Sequence, residues 1–231
     1  MAELGDTVVV APDSFQSGMG HAITINNLLR LDKVKIYGQR EWYKCSGTPV
    51  DCVKIGIDKI LKRRPDLCVS GINHGSNSSI NVIYSGTMSA AMEGAIEGIP
   101  SIGFSLLSHS MEADLTAAKA YAKKIASNVL QHGLPTGTLL NVNIPALPLN
   151  ELKGVKICRQ AMAKWDEEFT ERMDPNHRKY YWLTGKFVNY DLGEDTDVWG
   201  LQNGYVSVVP VQFDFTAHHA IPFLNKFDFN V

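Results

Sequence analysis

Hydroxyls, amides, glycines and imidazoles gather in three stretches of this chain. Ser14, Ser17, Gly18, Gly20 and His21 follow an apolar run that ends at Ala11. Asn73, His74, Ser76 and Asn77 follow a second run that breaks at Gly71. Ser85-Gly86-Thr87 opens a stretch of small residues that includes Ala90, Ala91 and Ala95. A helix starting at this third stretch would present unpaired N–H groups and a partial positive charge beside two hydroxyls, which is the chemistry of a phosphate cradle. Each piece also has a plainer reading: Ser85 as an ordinary N-cap, Asn73 as a turn residue, His21 and His74 as loop residues. What argues for a site is that all three sets fall at the same kind of place, just past a strand. The chain has no Gly-x-Ser-x-Gly elbow, Gly-x-x-x-x-Gly-Lys loop or Cys/His nucleophile pair. Nor do these stretches contain a carboxylate pair able to hold a metal, since Asp13 stands alone.

The elements that must position these residues read as strands alternating with helices. Residues 6–11 form a continuous apolar run, the pattern of a strand buried on both faces in a parallel sheet. Residues 22–45 alternate loosely (Ile23, Ile25; Val34, Ile36; Trp42, Tyr43) and read as a short β excursion. Thr48 then caps a helix with Pro49 at its first position and Asp51 in its first turn; Val53, Ile57 and Ile60 recur at helical spacing, and Lys62-Arg63-Arg64 close it. A second buried strand covers residues 66–70. A helix follows from residue 85 to 97, stopped by Gly98 and Pro100, and then a strand over 100–106. An amphipathic helix over 113–130 ends at Gly133, and a strand over 138–144 stops at Pro145. This order argues for right-handed crossovers and a three-layer α/β/α sandwich with a mostly parallel, Rossmann-like sheet. In such sheets ligands bind beyond the carboxyl ends of the strands, where all three stretches fall.

After residue 150 the pattern changes. Residues 1–150 read as the α/β core. Residues 151–231 read as a C-terminal part of the same domain, with an arm and a final strand and helix. A strand is read over 155–159. Residues 161–203 carry Trp165, Phe169, Tyr180, Tyr181, Trp182 and Trp199 without a helical period. Tyr180-Tyr181-Trp182-Leu183 reads as one side of an extended hairpin whose rings pack on a partner subunit; the alternative is an insertion folded over its own domain. A last strand covers 204–211 and a short helix 216–224.

With 22 basic and 24 acidic residues the formal charge is −2, which disfavours nucleic acid and anionic membrane surfaces as partners. No apolar run approaches the ~20 residues of a membrane span. The four cysteines, Cys45, Cys52, Cys68 and Cys158, lack C-x-x-C spacing and read as free thiols of a reducing compartment. The N-terminus has no basic region followed by an apolar stretch, so a cytoplasmic protein is expected.

Five motifs follow one another in order: Val9-Val10-Ala11-Pro12-Asp13 with Gln16-Ser17-Gly18 and Thr24; Gly47-Thr48-Pro49-Val50-Asp51-Cys52-Val53; Val69-Ser70-Gly71-Ile72-Asn73-His74-Gly75; Ile83-Tyr84-Ser85-Gly86-Thr87-Met88-Ser89-Ala90-Ala91-Met92-Glu93-Gly94; and Leu140-Asn141-Val142-Asn143-Ile144-Pro145. Together they resemble the SurE family, over about residues 5–221 and including Thr196-Asp197 and Gly204-Tyr205-Val206-Ser207. The resemblance implies a phosphomonoesterase that hydrolyses nucleoside 5'-monophosphates to nucleoside and phosphate. It implies a divalent metal, Mg²⁺ or Mn²⁺, with Ser17 and Asn73 among its ligands, and Ser85, Gly86 and Thr87 near the phosphate. It also implies a homodimer or homotetramer built through the arm.

One departure stands out. The family holds its metal chiefly with two adjacent aspartates in an Asn-Asp-Asp-Gly loop, about thirty residues ahead of the Ala-Pro-Asp motif, and no residue here matches them. The expectation is a shortened version of the enzyme, with that pair upstream of Met1 and a strand absent at the centre of the sheet, where the strand order reverses. Two other readings stay open: a non-catalytic nucleotide- or phosphate-binding remnant without its metal, and a structural fragment of a larger assembly.

Overall fold

The computed structural model describes residues 1–35 and 41–230. The first apolar run extends as β1 (Val8–Pro12). The β excursion is two strands, β2 (Leu31–Val34) and β3 (Glu41–Cys45). They form a small sheet of order β1-β3-β2, with β1 parallel and β2 antiparallel to β3. Ile23 and Ile25 lie in the loop ahead of β2 rather than in a strand, and both are exposed. Ile36 lies outside the described residues.

Thr48 caps α1 (Pro49–Ile55) with a reciprocal box: its Oγ1 accepts the Asp51 N–H at 3.1 Å, and Asp51 Oδ2 accepts the Thr48 N–H at 2.8 Å. The helix runs on through a π-helical turn, Gly56–Leu61, and ends on Lys62 at φ +54°. Gly56 brings this turn onto Val10: a Cβ there would stand 3.2 Å from the valine Cγ2.

The larger sheet has the order β4-β5-β6-β10-β7. Its strands are β4 (Cys68–His74), β5 (Ser101–Leu106), β6 (Thr138–Ile144), β7 (Val155–Ile157) and, late in the chain, β10 (Val206–Gln212). All its pairings are parallel except β6 with β10, as the alternation of strands and helices predicts. Helix α2 (Gly86–Ile96) covers one face with Met88, Ala91 and Ala95, and α3 (Thr116–His132) covers the other with Ala118, Ala122, Ile125, Ala126 and Val129. The small residues let α2 lie close: a Cβ on Gly94 would stand 2.8 Å from Cys68 Cβ, and one on Gly103 2.4 Å from Met88 Sδ. Between the helices lie Ile102, Phe104, Leu106, Val142, Ile144 and Val206, each at most 1% exposed. Each such side chain contributes about 1.5–3 kcal/mol through burial.

Two strand expectations are corrected. β1 is half-buried, not covered on both faces, because its second edge has no strand partner among the described residues. β4 shares this condition: it pairs only with β5, and Cys68, Val69 and Ser70 are half-buried. The second strand also does not stop at Gly71. It continues to His74 through a bulge, with Ser70 opposite Gly103 but Asn73 opposite Ser105. One extra residue in β4 therefore re-aims everything after it.

The arm is a two-stranded antiparallel hairpin, β8 (Ala163–Met173) and β9 (Lys179–Asn189), paired from Ala163↔Asn189 to Met173↔Lys179. Residues 161–203 are not free of helix, since Thr196 caps the short α4 (Asp197–Gln202). Trp199 belongs to α4 and stacks on Tyr205 at 6.3 Å, so it is not one of the arm's rings. The final helix is reduced to one 3₁₀ turn, His218–Ala220, and α5 (Ile221–Leu224). Among the described residues no helix is long and apolar enough to cross a membrane.

Candidate functional site

Ser85 is the N-cap of α2. Its Oγ, buried with the residue at 9% exposure, accepts the Met88 N–H at 3.0 Å. This fixes where the helix begins. A serine hydroxyl that accepts one bond still has its own proton to donate. Gly86 and Thr87 follow at the first two helical positions, with backbone N–H groups that no preceding helical turn can satisfy.

The loop after β1 reaches this helix start. The Gly20 N–H donates to the Tyr84 carbonyl at 3.1 Å. A Cβ on Gly86 would meet Pro49 Cγ at 3.0 Å and the Gln16 carbonyl at 3.4 Å. Glycine at position 86 thus lets three segments converge: the loop bearing Ser17, the start of α1 and the start of α2. Ser17 itself is exposed on that loop.

Asn73 sits on β4, past the bulge, and its Nδ2 donates to the Gly75 carbonyl at 3.0 Å. Among the described residues no hydrogen bond joins it to Ser17 or to Ser85-Gly86-Thr87. His74 is half-buried, and its Nδ1 is buried without a hydrogen-bond partner. Asn77, grouped with these residues by sequence, is structural: it is 5% exposed and held on all sides. Its N–H donates to Asn143 Oδ1 at 2.8 Å, its Nδ2 to Ser105 Oγ at 2.6 Å, and its carbonyl accepts from Asn141 Nδ2 at 2.8 Å. The two asparagines of the Leu140-to-Pro145 motif therefore pin the loop that follows β4.

Sequence reasoning missed the pairing of Glu93. This carboxylate, 4% exposed on α2, takes His21 Nε2 at 2.9 Å and Lys54 Nζ at 2.5 Å. The hydrogen bond to Glu93 holds the Lys54 ammonium above its ordinary pKa. The trio ties the end of the Ser17 loop and α1 to α2. A signal was present: one acid within the small and apolar run from Ala90 to Ala95 must find a cation when that face is buried.

A cavity of about 820 Å³ runs along the flank of α2 past His21, Ser89, Met92 and Ile96 to Val209 and Phe213; Ser17, Asn73 and Ser85-Gly86-Thr87 do not line it. All four cysteines are free, and burial pushes the Cys68 thiol up to about 11.

A mostly parallel sheet with helices on both faces, and a capped helix start beside the loop from its neighbouring strand, defines a Rossmann-like α/β protein. Within that class the chain belongs to the SurE family: residues 1–167 match the family described as Survival protein SurE. The chain is 64% identical over 231 residues to the 5'-nucleotidase SurE of Flavobacterium psychrophilum, a match that covers 100% of this chain and 90% of that protein. It is likewise 64% identical over 233 residues to the 5'-nucleotidase SurE of Christiangramia forsetii, covering 100% and 89%. The crystal structure of the SurE protein from Aquifex aeolicus superposes with a TM-score of 0.83 at 39% identity, over 97% of this chain and 89% of that one.

Proposed function

We propose that this protein is a phosphomonoesterase that hydrolyses nucleoside 5'-monophosphates. The observation that carries this reading is the similarity, along the whole chain, to proteins named 5'-nucleotidase SurE. In this reading the N–H groups of Gly86 and Thr87, the Ser85 hydroxyl and the positive end of α2 hold the phosphate as charge builds on its oxygens. The Ser17 loop, fastened through Gly20 and His21, closes over one side of it.

A divalent cation, Mg²⁺ or Mn²⁺, with Ser17 and Asn73 as ligands belongs to the same reading. The donors described here do not fit it by themselves. Both are neutral, and the described residues hold no group of three or more His, Cys, Asp or Glu side chains that could bind a metal. A hard cation takes carboxylates as its principal ligands. The neutral donor set favours a second reading, a nucleotide- or phosphate-binding protein without turnover. One assay separates the two. Release of inorganic phosphate from a nucleoside 5'-monophosphate is expected to stop with a chelator and to return with Mn²⁺ or Mg²⁺. Saturable nucleotide binding with no phosphate release under any metal supports the second reading instead.

Gly86→Ala tests the phosphate contact directly. The added methyl must displace Pro49 Cγ by a few tenths of an ångström and reaches ordinary contact with the Gln16 carbonyl, at a first helical position where glycine and alanine are both tolerated. The melting temperature is expected to stay within ~3 °C. Affinity for inorganic phosphate is expected to fall about tenfold, ~1.4 kcal/mol. Unchanged phosphate affinity would move the site away from α2.

The same reading makes the protein a homodimer or homotetramer through the β8–β9 arm. The four unbridged thiols suit a cytoplasmic setting.

A further inference from the structure

The short 3₁₀ turn Ser79–Ile83 lies between the loop after β4 and Ser85. It is held by the base of the arm. Ser79 is fully buried and sits at φ +54°, in the left-handed region that costs any residue with a Cβ. Its N–H donates to Asp197 Oδ2 at 2.7 Å. Its hydroxyl lies 2.8 Å from the Ala161 carbonyl and 3.0 Å from that of Ala163, and accepts the Ala163 N–H at 3.2 Å. Two residues on, Asn81 Oδ1 accepts Trp165 Nε1 at 2.8 Å. Ala163 and Trp165 are the first and third residues of β8.

Asp197 closes this knot. It is 0% exposed, and its carboxylate takes three backbone N–H groups rather than a cation: Ser79 at 2.7 Å, Ala161 at 3.0 Å and Val198 at 2.8 Å. Those three belong to the turn ahead of α2, the entry to the arm and the start of α4. A buried anion is a poor way to gain stability alone, because an apolar side chain of similar volume generally serves as well or better. What the three bonds supply is definition: they set the turn's backbone against the arm's backbone. The turn then passes this on. The Tyr84 carbonyl, one residue past it, accepts the Gly20 N–H of the Ser17 loop, and Ser85 begins α2.

We propose that Asp197 and Ser79 are positioning residues, through which the base of the hairpin arm fixes the turn Ser79–Ile83 and hence the start of α2. No arm residue needs to reach the ligand for this to matter. The inference rests on the reading of the α2 start as a phosphate site, but its central measurement does not depend on hydrolysis.

Asp197→Asn keeps the volume and turns one oxygen into an N–H₂ group that cannot accept the Ser79 or Ala161 N–H. Trp165→Phe removes one bond to Asn81 and keeps a ring on a partly exposed strand, so it leaves the core intact. Amide exchange in the whole chain, followed by mass spectrometry, reads the coupling. For both variants the amides of residues 79–88 are expected to exchange at least about fivefold faster, while those of α3 and β6 keep their parent rates. Binding of inorganic phosphate is expected to weaken by about fivefold in both. Where the parent hydrolyses a nucleotide, the Michaelis constant should rise while kcat stays within about twofold. Trp165→Phe with parent exchange over 79–88 overturns the proposal. So does Asp197→Asn with exchange raised evenly through α3 and β6, which would make the knot a general stabiliser. Faster exchange over 79–88 with unchanged phosphate affinity would uphold the coupling and refute the phosphate site, so the two failures are distinguishable.

Discussion

Replacing Gly71 with alanine is expected to leave little folded protein. Gly71 has φ +111°, where an L side chain is strained whatever the space around it. Space is also lacking. A Cβ would stand 2.3 Å from the carbonyl oxygen of Phe104 and 3.2 Å from the Asn73 nitrogen, and both are backbone atoms. Phe104 cannot yield, because its side chain is 0% exposed and its strand is paired on both edges, with β4 and with β6. Relief would require undoing the bulge or parting β4 from β5. Substitutions that combine backbone strain with a clash in the core lie in the tail beyond about 4 kcal/mol, against a total stability of about 5–15 kcal/mol. Circular dichroism during heating and urea titration would measure it. A soluble Gly71→Ala protein that melts cooperatively within a few degrees of the parent would refute the argument.

The second large effect concerns assembly. The outer arm exposes Phe169 at 64%, Tyr181 at 56%, Trp182 at 63% and Leu183 at 58%. A two-stranded hairpin is marginal in water by itself, and so much exposed apolar surface, with Phe169, Tyr181 and Leu183 on one face and Trp182 with Tyr180 on the other, is unusual on a monomer. Exchange of such an arm between identical subunits is a low-cost route to a symmetric dimer. We therefore expect light scattering after size exclusion to give at least twice the monomer mass, and the monomer mass once the outer arm is removed. The cut has to be chosen from the structure. Excising residues as far as 198 would remove Asp191 and Asp195, which clamp Arg159 with contacts of 2.5 and 2.8 Å, and Asp197 with them. Joining Glu167 to Gly185 through a two-residue Asn-Gly turn keeps those groups and Trp165, since the two residues already face each other across the strands. A shortened protein that stays dimeric would show the arm to be a surface insertion.

Local chemistry made much of this protein legible from its sequence. Thr48 with Pro49 and Asp51 states a helix start in residues three apart. Ser85 followed by small residues states another, and the alternation of apolar runs with helical spacing states a parallel sheet. These are short-range rules in which each signal and its consequence lie within one or two turns of chain. The position of Asn73 was not legible in this way. It depends on a bulge at Gly71, and a bulge is defined by the strand opposite, through the pairing of Ser70 with Gly103 and Asn73 with Ser105. The half-burial of β1 and β4 likewise depends on which neighbours their edges have, not on their own apolar residues. Glu93 and Asp197 show the same limit most clearly. Nothing beside either acid in the sequence names its partner, yet Glu93 is held by His21 and Lys54, 72 and 39 positions earlier, and Asp197 by Ser79, 118 positions away. A buried carboxylate announces that it needs partners, but only the tertiary structure brings them within 3 Å, because the low-dielectric interior enforces the pairing without specifying how far along the chain the partner lies.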